Sequence, residues 1–232
     1  ETLKKAMDIF GCKFAQGFGM TETVAVICAM TSDDHIRALN EKPELLKSCG
    51  RPLIDTLVEI RDENDKPLPI GEIGQICAKG PQIMKGYWNK TEETAKALSG
   101  GWMHTGDAGK MDEEGFVYIQ DRIKDMIVSG GENIYSTEVE AVLFSHPDVV
   151  DAAVIGVPDD KYGEVVKACV VKKKDSELGA DDLIEFCKQK IASYKKPQSV
   201  DFIEEVPRNA SGKVLKKVLR EPYWKNRDRQ VS

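Results

Sequence analysis

No two of the six cysteines stand at CxxC spacing, and the three histidines (His35, His104, His146) are scattered along the chain. A zinc site therefore has no ligand pattern to build on. Most of the cysteines lie in apolar runs, as buried thiols do in a reducing compartment. No stretch approaches the 18 or so apolar residues that a membrane-spanning helix needs. The opening residues lack a basic segment followed by an apolar one, so the expected location is the cytoplasm. No integral membrane segment is expected, while peripheral contact with a membrane surface stays compatible with the composition. There is no surplus of positive charge: the net charge is -6, and the one run of three basic residues, Lys172-Lys173-Lys174, reads as a solvated strand end. Nucleic acid is therefore not an expected partner. The chain also lacks GxxxxGK[ST] and a complete GxGxxG, which excludes the P-loop and the dinucleotide fingerprint.

What remains is an ordinary globular composition, 41% apolar and 31% charged over 232 residues, enough for one large domain or two small ones. Leu3, Ala6, Met7 and Phe10 share a helical face that Gly11 stops, and "CKFAQGFG" follows as a short strand ending in a glycine turn. Because the first residue is Glu1 and a helix-to-strand unit begins at once, the chain is expected to be part of something longer. Residues 31 to 50 read as polar loop with room for one helical turn in "PELLKSCG". Residues 51 to 121 read as mostly β, closing with a hairpin around Gly115. After Arg122 the pattern changes. "STEVEAVLFSHPDV" reads as a helix with Thr137 and Glu140 at capping-box spacing. "VVDAAVIGVPDD", "EVVKACVVKKK" and "SVDFIEEVP" read as strands. Leu183, Phe186, Cys187 and Ile191 form a further helical stripe. The expected class is α/β and α+β, with the end of a large domain at 1–123 and a small α+β domain at 124–232.

Three stretches carry chemistry. "QGFGMTET" (Gln16, Gly17, Phe18, Gly19, Met20, Thr21, Glu22, Thr23) combines glycines that let a backbone approach a phosphate, hydroxyls on Thr21 and Thr23 that can donate to phosphate oxygens, and Glu22, a hard oxygen ligand suited to Mg²⁺. The plain alternative is a strand-ending turn. "GWMHTGD" ends in Asp107, a carboxylate able to accept from two ribose hydroxyls. Arg122 stands fifteen residues on and can donate to the same sugar or to a phosphate; alone, the pair read as a turn residue and a surface ion pair. "PRNASGK" reads as a mobile loop ending in Lys213, an ammonium on a flexible stem. Its alternative is a basic tail, since Lys216, Lys217, Arg220, Lys225, Arg227 and Arg229 follow.

Together, "GFGMTET", "GWMHTGD", "DRIKDMIVSGGENIYSTEVE" and "PRNASGK" resemble, in order and spacing, the motifs of the adenylate-forming superfamily: acyl- and aryl-CoA synthetases, luciferases and peptide-synthetase adenylation domains. The final "REPYW" is similar to the bacterial fatty-acyl-CoA ligase branch. The resemblance implies a carboxylic-acid substrate, ATP, Mg²⁺ and CoA, with an acyl-adenylate made first and a thioester second. It implies that Thr21 contacts phosphate, Glu22 holds Mg²⁺, Phe18 takes the place of an aromatic against adenine, and Gln16 to Met20 line the nucleotide. It further implies that Asp107 binds ribose with Arg122 beside it, and that Lys213 contacts the α-phosphate and the acid. Lys124 stands at the family's hinge, where many relatives have Asp. In a second pose Gly130, Gly131 and Glu132 would come to the site and leave room for the CoA arm. The family's glycine-rich triphosphate loop is absent from these 232 residues, so this piece alone is expected to be inactive. The rival readings are an aryl- or amino-acid activating relative and a non-catalytic nucleotide-binding module.

Overall fold

The computed structural model describes residues 2–225. Contacts group the chain into two compact units, Glu1–Gln120 and Asp121–Ser232, and helices and strands mix in both, in keeping with the expected α/β and α+β class.

In the first unit, helix α1 (Thr2–Phe10) ends at Gly11, whose N–H reaches the Met7 carbonyl. Strand β1 (Gln16–Gly19) pairs antiparallel with β2 (Val26–Met30), and β2 pairs antiparallel with the short β3 (Arg51–Pro52). Between β2 and β3 the sequence predicts loop, yet helix α2 (Ser32–Asn40) forms there, followed by the expected helical turn at Pro43–Lys47. The α2 segment is polar almost throughout, so its periodicity is faint. What makes it helical is a reciprocal cap. The Asp34 N–H donates to Thr31 Oγ1, and the Thr31 N–H and hydroxyl both donate to Asp34 Oδ2. His35 and Ala38 then bury one face completely.

A second sheet runs β4 (Leu57–Arg61), β5 (Gly74–Lys79), β6 (Met103–Met111), β7 (Val117–Arg122) in that order, with helix α3 (Thr91–Ala97) between β5 and β6. Alternation along β4 sends Val58 and Ile60 inward, where they join Ile27, Cys28, Ile76, Ala78 and Val117 in one apolar core.

The second unit begins with a hairpin of β8 (Ile127–Ser129) and β9 (Glu132–Ile134) leading into helix α4 (Ser136–Phe144). Long strands β10 (Val149–Asp159) and β11 (Gly163–Lys172) pair antiparallel, and helix α5 (Ala180–Lys188) leads to β12 (Ser199–Phe202), which pairs parallel with β11. Helix α6 (Lys216–Trp224) closes the described chain. The near-continuous apolar runs of β10 and β11 follow from burial on both faces. On one, Val154, Val166, Ala168 and Val170 meet Val139 and Leu143 of α4 and Leu183 and Cys187 of α5. On the other, Ile155, Val157, Val165 and Cys169 meet Ile203 and Leu219.

The capping box expected from Thr137 and Glu140 does not form. Helix α4 starts two residues earlier than that box would place it, with Tyr135 at the cap and no side-chain cap bond there. Glu140 instead accepts from the Val154 N–H of β10. The free end of α4 is met by Asp121, whose Oδ2 accepts from the Ser136 hydroxyl at 2.5 Å and from the Thr137 N–H at 3.4 Å. A carboxylate distant in sequence thus takes the place of the local cap.

Asp34 is the test of the unforeseen helix. Burial works to raise its pKa, but the Thr31 hydrogen bonds and the Arg51 guanidinium, 3.0 Å away, outweigh that and hold it below the usual value. A lowered carboxylate pKa stabilises the fold above the unfolded value of about 3.9 and loses that stabilisation as pH falls through the folded one. Asp34→Ala is expected to lower urea-denaturation stability by about 1–2 kcal/mol at pH 7. The difference from the unsubstituted protein should narrow steadily below about pH 4.

Candidate functional site

The stretch from Gln16 to Thr23 divides its side chains between interior and surface. Gln16 is committed inward: its Nε2 donates to the Ser48 carbonyl at 2.6 Å, and its Oε1 faces His35 Nε2 at 3.4 Å. Phe18 is half-buried and packs against the core of the first unit. At Gly19 the chain passes so close to its neighbour that an added Cβ would lie 2.0 Å from the Ala25 carbonyl oxygen, which only glycine tolerates. Thr21 is exposed, whereas Thr23 is fully buried. The Thr23 hydroxyl accepts from the Met20 N–H and donates to the Ala25 carbonyl at 2.7 Å, so it staples the turn and has no proton left for a phosphate. Val24 follows with φ 60° and ψ -36°, and the Ala25 N–H reaches back to the Thr23 carbonyl. A β-branched residue in that γ-turn is strained by about 1–3 kcal/mol.

Glu22 is held by a segment that sequence reasoning passed over. The Tyr87 hydroxyl donates to Glu22 Oε1 at 2.8 Å, and the Met84 N–H donates to the Glu22 carbonyl at 2.8 Å. Burial and this carboxylate raise the Tyr87 pKa, so the phenol keeps its proton. Tyr87 is itself fixed through its N–H to Thr94 Oγ1, midway along α3. Its position 65 residues downstream, in "KGYWNK", gives no spacing signal that would tie it to Glu22.

Asp107 stands on a bulge. Gln75 faces Ala108 and Cys77 faces His104, so β6 advances four residues where β5 advances two. Gly106 takes φ 76° there, and the Thr105 hydroxyl, which donates to the Ile76 carbonyl, accepts from the Asp107 N–H. Such a bulge re-aims the side chain that follows it.

In the second unit, Arg122 is exposed at the end of β7, and its N–H donates to Asp121 Oδ1. Lys124 is exposed in a single 3₁₀ turn, Ile123–Asp125. Arg220 Nη1 donates to the Lys124 carbonyl at 3.2 Å and to Asp125 Oδ1 at 2.8 Å. Gly130 and Gly131, at φ 60° and 88°, form the two-residue turn between Ser129 and Glu132, where positive φ at both positions matches strand twist. Glu132 is exposed beside them.

The segment read as a mobile loop is a hydrogen-bonded turn. Asn209 Oδ1 accepts from the Ser211 N–H at 3.1 Å, the Ser211 hydroxyl at 2.8 Å and the Lys213 N–H at 2.9 Å. The Asn209 N–H donates to the Lys213 carbonyl at 2.9 Å. Arg208 ties the turn to β10 through Asp151, at 2.8 Å. Lys213 projects from it, exposed. The basic-tail alternative fails for Lys216 and Arg220, whose side chains are only 11% and 13% exposed and are paired with Glu140 and Asp125. Arg227 and Arg229 lie outside the described residues.

No group of three or more His, Cys, Asp or Glu residues among the described ones could hold a metal by itself. Glu22, with one carboxylate oxygen on Tyr87, suits a Mg²⁺ carried in by nucleotide phosphates, the usual manner for that ion.

The chain matches the AMP-binding enzyme family over residues 1–88 and the AMP-binding enzyme C-terminal domain over residues 138–213. It belongs to the adenylate-forming superfamily. It is 39% identical over 230 residues to a fatty acid–[acyl-carrier-protein] ligase of Streptomyces coeruleorubidus, covering 99% of this chain and 44% of that one. Identity to a 2-succinylbenzoate–CoA ligase of Bacillus cereus is 42% over 211 residues, covering 91% of this chain and 42% of that protein. Among solved structures, the o-succinylbenzoate CoA synthetase of Bacillus subtilis with its acyl-adenylate OSB-AMP matches with a TM-score of 0.82 at 37% identity, over 94% of this chain and 43% of that one. The same synthetase has been solved with ATP and magnesium ion. The chain thus spans less than half the length of these relatives.

The turn at Lys213 can be tested by itself. Removing the Asn209 acceptor with Asn209→Ala should cost about 1 kcal/mol per lost bond. Amide exchange at Ser211 and Lys213 should then quicken roughly fivefold or more, with α5 amides unchanged.

Proposed function

We propose that this chain is the carboxy-terminal part of an ATP-dependent acid–thiol ligase. The acid's carboxylate attacks the α-phosphorus of ATP, pyrophosphate leaves, and the acyl-adenylate then passes its acyl group to the thiol of CoA with release of AMP. The observation that carries this reading is the exposed ammonium of Lys213, presented on a turn locked by Asn209. Such a donor stabilises negative charge developing on the phosphoryl oxygens. Asp107, re-aimed by its bulge, accepts from the ribose hydroxyls, and Arg122 donates beside it. Thr21 donates to phosphate, Phe18 offers the outer face of its ring to adenine, and Gln16 shapes β1 beneath them. Glu22, oriented by Tyr87, would hold Mg²⁺, which when bound neutralises charge on the phosphates.

Lys124 is the pivot of this reading. A turn about it carries the small unit between half-reactions, withdrawing Lys213 and presenting Gly130, Gly131 and Glu132 to the CoA arm. The exposed Lys124 in a single 3₁₀ turn has the solvation such a pivot requires.

For the acid, "REPYW" and the Streptomyces relative favour a fatty acid. The succinylbenzoate ligases, equally similar, favour an aromatic acid. A panel from acetate to palmitate, with benzoate and cinnamate, assayed on the full-length protein, separates the two.

Lys213→Ala in the full-length protein should slow adenylation about 10²–10³-fold, with thioester formation from supplied acyl-adenylate largely kept. Unchanged adenylation would favour a non-catalytic nucleotide-binding module. The 232 residues alone, which contain no glycine-rich triphosphate loop, should release no pyrophosphate above background. Release would contradict the assignment of that step to a longer chain.

A further inference from the structure

The bulge that carries Asp107 is spanned by a side-chain bond that the reaction as described leaves unused. His104 faces Cys77 at one end of the bulge, and Gln75 faces Ala108 at the other. On the β5 side, Ile76 alone stands opposite Thr105, Gly106 and Asp107. His104 Nδ1 lies 2.9 Å from Gln75 Oε1, so one hydrogen bond crosses the bulge on the diagonal, a reach open to long side chains. An amide oxygen only accepts, which places the ring proton on Nδ1. Cys77 Sγ, 3.5 Å from the same nitrogen, is a weak partner by comparison.

The other ring nitrogen has no such bond. Among the described residues, His104 Nε2 is buried with no hydrogen-bond partner. Asp65 Oδ1 stands 3.5 Å from it, but that oxygen accepts from Arg61 Nη1 at 3.0 Å. A buried polar atom left unpaired is costly, and its persistence asks for a compensating role. The bulge supplies one. The Thr105 hydroxyl joins the Ile76 carbonyl of β5 to the Asp107 N–H of β6. That bridge aims Asp107 only while the two strands keep their offset, and the bond between His104 and Gln75 holds the offset.

We infer that His104 and Gln75 are positioning residues that set how tightly the ribose is held, by keeping Asp107 where it meets both sugar hydroxyls. The inference rests on the ribose assignment proposed above. A carboxylate that serves two hydroxyls at once tolerates little displacement, so its support decides its strength. A slip of the bulge is then read as lost recognition of the sugar, with the base and phosphate contacts kept.

The experiment is equilibrium binding of AMP, and of 2′,3′-dideoxy-AMP, which lacks both hydroxyls, to the full-length protein by calorimetry. The ratio of the two dissociation constants reports sugar recognition apart from catalysis. The unsubstituted protein should prefer AMP by about tenfold or more. His104→Leu and Gln75→Met should each lower that preference roughly three- to tenfold, by weakening AMP while dideoxy-AMP binds as before. His104→Asn, whose amide N–H stands two bonds from Cβ as Nδ1 does, should restore most of it. Leu46→Ala, which trims a separate apolar cluster of the same unit, controls for stability loss and should leave the preference unchanged. An unchanged preference in both His104→Leu and Gln75→Met overturns the inference. So does an equal fall in Leu46→Ala, or a His104→Asn no better than His104→Leu. Asp107→Ala in the same series separates the two levels. If the preference for AMP is absent from the start or survives Asp107→Ala, the ribose assignment fails and the inference fails with it. If Asp107→Ala abolishes the preference while His104→Leu and Gln75→Met leave it intact, the inference alone is wrong.

Discussion

The carboxamide of Asn209 decides how Lys213 can move. It accepts from three donors within four residues, and the Arg208 pair with Asp151 fixes the turn's other side. The backbone at Lys213 therefore has no swing of its own; only the side chain is loose. An ammonium on such a turn can change its surroundings by more than a side-chain length only if the body beneath it moves. That constraint turns a question about one lysine into a question about the whole second unit.

The second unit is internally well tied. β10 and β11 are covered on both faces, and α6 is tied down along one side by residues at helical spacing. Lys216 reaches Glu140 and Ser136, Arg220 the turn at Lys124, Tyr223 the Asp201 carboxylate at 2.6 Å, and Trp224 the Gly156 carbonyl. Those polar ties are directional where apolar contact is not, so they fix the helix in register as well as in place. On the proposed reading, the same helix that follows Lys213 also holds the far side of the pivot.

The amino-acid sequence revealed this architecture unevenly, for physical reasons. Glycine turns and the long apolar strands at 149–172 announce themselves because backbone freedom and two-sided burial leave strong local patterns. Helix α2 did not, because its cap at Thr31 and Asp34 carries the signal that apolar periodicity usually supplies. The Thr137–Glu140 spacing looked like a cap, yet the helix end went to Asp121, a partner fixed only by tertiary structure. Tyr87 on Glu22, and Lys216 and Arg220 as buried pairs in what reads as a basic tail, were invisible for the same reason. Contacts between distant positions leave no period to read.

The most direct test of the account is a distance measured in the full-length protein. With exposed Cys12 replaced by serine, spin labels at the exposed positions Asn64 and Lys174, one in each unit, report their separation by pulsed electron resonance. The account predicts two resolved distances, one dominant with ATP and acid and the other with acyl-adenylate analogue and CoA, and their collapse to one in Lys124→Pro. A single distance under all conditions, in a protein that turns over normally, would contradict it.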